Sequence, residues 1–132
     1  MIRRLAYVSR PRPDLPAAEI SRIVVRSRIN NERHKIAGVL VYTGTHFAQL
    51  IEGVPAEVEA LWRRIKCDDR HLDIVLLLKE NAVSPWFRDW RMGYLPQRDL
   101  SRHIDAWREG ARALDARSRW DLRQLLAAAD SL

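Results

Sequence analysis

Residues 36–53, IAGVLVYTGTHFAQLIEG, constrain the fold more than any other stretch of the chain. The run "IAGVLVY" is rich in β-branched residues and reads as a strand buried on both faces. Thr43, Gly44 and Thr45 form a tight turn, so the two halves of the stretch pair as a hairpin. In the second half, Phe47, Gln49 and Ile51 share one face at period two, while His46, Ala48, Leu50 and Glu52 share the other. Phe47 and Ile51 mark their face as buried. Gln49 then places two donors and an acceptor where they cost free energy unless something answers them.

The flanking patterns extend the hairpin into a domain. "RRLAYVS" (3–9) alternates and reads as a first strand, with Leu5, Tyr7 and Ser9 on one face. Asp14 ahead of Pro16 predicts a helix start, and Ile20, Ile23 and Val24 give one side of a helix over about 15–28. "NNERHK" (30–35) is expected to be a polar loop. Pro55 opens a second helix over 55–67, with Val58, Leu61, Trp62 and Ile65 at i, i+3, i+4 and i+7. "LDIVLLLKE" (72–80) is a fourth strand and "RMGYL" (91–95) a short fifth.

This order, β-α-β-β-α-β, predicts an α+β ferredoxin-like sheet with two helices on one face. After Pro96 the pattern turns helical: Leu100, Ile104, Trp107, Ala111 and Leu114 mark one helix, and a second starts at Ser118. The expected organisation is a domain over 1–95 and a C-terminal helical pair over 96–132 on the sheet's other face, in one compact unit.

The 132 residues are enough for an ordinary core without disulfide or metal staples. One cysteine excludes a disulfide framework, and no apolar run reaches membrane-spanning length, so a cytoplasmic protein without a membrane partner is expected. The net charge of +6 lies wholly in residues 1–35, where nine Arg and Lys stand against three Asp and Glu. Such a basic third suits nucleic acid, a phosphorylated ligand or simply a solvated face. No exposed aromatic pair of the RNP type is evident on the strands, which argues against nucleic acid as a partner.

Enzyme signatures are missing: there is no G-x-S-x-G, Gly-rich phosphate loop or H-E-x-x-H, and the four histidines lack metal-binding spacing. The chemistry on offer is polar and buried. In a split-βαβ sheet strands one and three are central neighbours, so Tyr7 and Gln49 can meet across them. Asn30 and Asn31, at the end of the first helix, can face the same cleft. Convergent amide and phenol groups in an apolar cleft suit a flat heteroaromatic ligand. A structural Tyr-Gln hydrogen bond in a ligand-free interaction or nucleic-acid-binding module is the alternative at this point.

From Leu5 to about Tyr94 the chain resembles the BLUF domain, a blue-light sensor that uses flavin. The resemblance rests on "LAYVSR" (5–10), "SRINNERHKIAGVLVYTGTHFAQLIEG" (27–53), "DDRH" (68–71) and "FRDWRMGYL" (87–95). It implies a photoreceptor rather than an enzyme, with non-covalent FAD, or else FMN or riboflavin. Tyr7 matches the tyrosine that gives an electron and a proton to the excited flavin. Gln49 matches the glutamine between that phenol and flavin N5/O4, whose rearrangement changes the hydrogen bond to the flavin. Asn31 matches the asparagine on the flavin's carbonyl edge, with Asn30 beside it. Arg64, Asp68, Arg70 and His71 match the polar rim near the ring edge or ribityl chain, and Trp90 and Met92 the W-x-M segment that reports the glutamine's state. The resemblance further implies an effector protein in trans and a homo-oligomer. Ala37, His34 and Lys35 depart from the commoner family residues without touching these positions.

Overall fold

The computed structural model describes residues 1–86, 92–96 (as backbone), 104, 105, 108 and 109. The elements are β1 (Ile2–Pro11), α1 (Ala17–Arg33), β2 (Ala37–Tyr42), β3 (Phe47–Gly53), α2 (Pro55–Cys67), β4 (His71–Ala82) and β5 (Met92–Pro96). The sheet order is β4-β1-β3-β2-β5. Its first four strands are antiparallel neighbours, as the ferredoxin-like reading requires, and β5 joins the edge parallel to β2.

Both sheet faces are covered. Leu5, Leu40, Phe47 and Ile51 pack against Ile20 and Val24 of α1 and Val58 and Trp62 of α2. Ala6, Val8, Val39, Val41, Ala48 and Leu50 form a second cluster on the rear face, joined by Ile104. Every residue of β3 is therefore buried, and the alternation read in its sequence separates two cores instead of core from solvent. Ile104 agrees with a rear cover; Leu100, Trp107, Ala111, Leu114 and Trp120 of the expected helical pair lie outside the described residues, as does Trp90.

Two glycines are there for space and conformation. A Cβ on Gly38 would sit 2.5 Å from the Leu50 carbonyl oxygen, so the β2–β3 approach admits no side chain there. Gly44 turns the hairpin at φ +97°, a region that L side chains rarely adopt.

The structure corrects the expected loop over 30–35. α1 runs through Arg33, and only His34 and Lys35 turn the chain, with Lys35 at φ 53°. The apolar stripe of Ile20 and Val24 continues one and two turns on as Ser27 and Asn31, because that side of the helix passes from the core to the edge of a cavity. A polar lining interrupts the hydrophobic period without interrupting the helix. Asp14 is likewise no cap: its carboxylate accepts from Arg12 Nε at 2.9 Å, and Pro16 occupies the N-cap without a side-chain bond.

Candidate functional site

A cavity of about 200 Å³ opens between α1, α2 and the sheet. The eight positions Tyr7, Asn30, Asn31, Gln49, Arg64, Asp68, Arg70 and His71 all line it. They come from five elements and the turn after α2, and only folding brings them together. Met92 lies in β5 with its backbone opposite Gly38; Trp90 is outside the described residues.

Tyr7 and Gln49 are direct cross-strand partners in the β1–β3 register. The Tyr7 hydroxyl donates to Gln49 Oε1, which turns the amide's Nε2 edge away from the phenol. The Tyr7 ring packs against Trp62 at 5.4 Å between centroids and meets His71 edge-on at 6.0 Å. Burial, and secondarily the negative charge of Asp68, push the phenol far above its ordinary pKa of 10.0, so Tyr7 holds its proton at neutral pH.

The rim is organised by α2 and its exit. Asp68 Oδ1 accepts from the Arg70 backbone N–H at 3.0 Å and from Arg70 Nε at 2.9 Å, and Oδ2 accepts from Nη2 at 2.6 Å. This fork holds the Asp68 carboxyl below its ordinary range against the opposing effect of burial. His71 bridges β1 and α2: Nε2 lies 2.7 Å from the Ile65 carbonyl oxygen and Nδ1 lies 2.8 Å from Ser9 Oγ. Since a carbonyl only accepts, Nε2 carries the proton, and in the neutral ring Nδ1 accepts from the Ser9 hydroxyl.

Asn31 is 2% exposed, and its Nδ2 is buried without a hydrogen-bond partner among the described residues. An unanswered buried N–H costs about 1–3 kcal/mol, so the wall of this cavity suits a ligand with an acceptor at that edge. Leu40, Phe47, Leu61 and Ile65 supply apolar walls around these polar groups. A planar ring with carbonyls along one edge matches this mixture of donors and flat surface. Sequence reasoning missed Ser27 as a lining residue. Its spacing four before Asn31 would have placed it there, had the helix been extended past residue 28.

The chain matches a protein family and several proteins of known structure. A family model described as "BLUF: Sensors of blue-light using FAD" matches residues 2–93. The blue light- and temperature-regulated antirepressor BluF of Escherichia coli (strain K12) is 37% identical over 87 residues, covering 66% of this chain and 22% of the relative. This chain thus spans less than a quarter of that curated relative's length. The dark-state structure of BlrB, a BLUF protein, superposes with a TM-score of 0.78 at 32% identity, covering 99% of this chain and 97% of BlrB. Klebsiella pneumoniae BlrP1 with FMN and cyclic diGMP superposes with a TM-score of 0.68 at 31% identity, covering 73% of this chain and 26% of BlrP1.

Proposed function

Because this chain belongs to the BLUF family, sensors of blue light using FAD, we propose that it is a blue-light photoreceptor whose switch is the Tyr7–Gln49 pair. The observation that carries this reading is their buried hydrogen bond in the wall of a cavity where Asn31 holds an unanswered donor. Bound flavin supplies blue absorption and an excited state that takes up an electron and a proton.

The residues then have defined tasks. Tyr7 gives up one electron, and its phenolic proton moves along the existing hydrogen bond to Gln49 Oε1. Gln49 releases a proton from its Nε2 edge, so the amide's proton count is unchanged. The electron and a proton come back to Tyr7 after the amide has turned. The phenol is restored, and Gln49 rests with its donor and acceptor edges exchanged. The cavity is thereby a two-state element whose states differ by a few hydrogen bonds.

Asn31 Nδ2 would hold a ring carbonyl, with Asn30 beside it. Arg64, Asp68, Arg70 and His71 would meet the ring edge and ribityl chain, and Trp90 and Met92 would report the state of Gln49. Residues 1–95 act as the sensor and 96–132 as a C-terminal extension, of which Ile104 packs into the rear cluster. FAD is the first cofactor to test, with FMN and riboflavin beside it. The signal passes to an effector protein in trans.

Purified protein tests the reading. The expected result is a yellow flavoprotein whose visible absorption shifts to the red under blue light and relaxes in the dark. Protein that stays colourless and does not reconstitute with FAD, FMN or riboflavin overturns it in favour of a flavin-free module.

A further inference from the structure

α1 has two sides with different tasks. Ser27, Asn30 and Asn31 line the cavity, whereas Ser21, Arg22, Val25, Arg26 and Ile29 enclose a groove on the helix's outer side. Val25 and Ile29, one turn apart, form an apolar ridge that is 56% and 54% exposed. Arg22 and Arg26 run beside it with the same spacing. Arg22 is answered by Glu19 at 2.9 Å, but Arg26 has no ion-pair partner among the described residues. Arg26 lines both the groove and the cavity, so a single side chain joins the two.

We propose that this face of α1 docks an acidic amphipathic segment of the effector protein, its apolar side chains on Val25 and Ile29 and its carboxylates against Arg22 and Arg26. The proposal rests on the sensor reading, which requires a partner. Charge selects the occupant: the groove is lined by Arg22 and Arg26 and by no carboxylate, so the same face of a second copy would bring arginine against arginine. A nucleic acid would meet an aliphatic ridge with no aromatic residue for a base to stack on. A membrane would find two medium-sized aliphatic side chains and no Trp or Phe.

The probe is a synthetic helical peptide of about 16 residues, long enough to hold helix, with Leu at i and i+4 flanked by Glu. Titrated into the flavin-loaded full chain, it should bind, and added salt should weaken the binding. The double variant Val25→Gln/Ile29→Gln should lose about tenfold in affinity, and Arg22→Glu should weaken it comparably, as for central interface residues. Both should keep the wild-type red shift. Equal binding by wild type and variants overturns the proposal, as does tighter binding of a DNA duplex or of phosphatidylserine vesicles at this face. A wild-type chain without a red shift overturns the sensor reading instead, which the absorption spectrum of the same samples reports separately.

Discussion

At the scale of single residues, the cavity is set by an exchange of polar groups for apolar ones. Gln49 sits between Phe47 and Ile51 on a buried strand face, and its amide oxygen is answered by Tyr7. Gln49→Leu should keep the fold and the flavin, because a side chain of similar volume replaces the amide, and abolish the red shift. Absorption difference spectra check this, and a normal shift in the variant would remove Gln49 from its proposed role. Tyr7→Phe keeps the ring against Trp62 and deletes only the hydroxyl. It should lose the red shift as well and lengthen flavin fluorescence, since the proposed electron donor is gone; an unchanged lifetime would contradict the assignment. Tyr7, Gln49 and Asn31 were all legible in the sequence. The direction of the amide was not, since it depends on a partner 42 residues away.

At the scale of elements, the strands and both helices follow from period and punctuation, and the failure lies at the end of α1. There the helix keeps its backbone bonds while its inward side turns polar, and a hydrophobic pattern cannot register a helix whose face lines a cavity. The exit of α2 shows what tertiary contact adds. His71 ties Ile65 of α2 to Ser9 of β1, a bridge between segments more than 50 residues apart. His71→Ala should cost about 1–3 kcal/mol, because the buried Ser9 hydroxyl loses its partner and the Ile65 carbonyl keeps only the Asp68 N–H at 3.2 Å. Urea unfolding measures the loss, which should appear as a lower midpoint with an unchanged slope.

At the scale of the whole molecule, the rear face ties the sheet to the segment that leaves β4. Arg4 Nε donates to Glu52 Oε2 at 2.8 Å, Nη2 donates to the Ser84 carbonyl oxygen at 2.9 Å, and the guanidinium lies 3.8 Å from the Trp86 ring centroid. Glu52 also accepts the Trp86 backbone N–H at 2.8 Å, so one ion pair fastens residues 84–86 to the centre of the sheet. Glu52→Ala leaves Arg4 with Glu80 at 3.0 Å as its remaining carboxylate and removes the acceptor 2.8 Å from the Trp86 N–H, so it should cost about 1–3 kcal/mol, read from denaturant midpoints.

His46, three residues before Gln49 on the same strand approach, is buried with Nε2 3.1 Å from the Asp105 carboxylate. Burial first, then Arg10 and Arg108, hold its pKa below the ordinary 6.5, against the opposing pull of Asp105. The unfolded chain therefore binds the proton more readily, and the stability that His46 contributes above pH 6.5 is lost as pH falls below it. Unfolding free energies from about pH 7.5 down to about 5.5 should decline, and His46→Gln should flatten that decline.

The sequence by itself determined the order of elements, the ferredoxin-like sheet and the neighbouring of Tyr7 and Gln49. Those follow from local periodicity, turn residues and the pairing that a split-βαβ topology enforces. Only the tertiary structure decided that β3 is buried on both faces, that α1 carries Asn30 and Asn31 inside its last turns, and that Asn31 Nδ2 is left unanswered among the described residues. Burial and hydrogen-bond partners depend on which distant segments arrive on each face, and that information is carried by the packed chain as a whole.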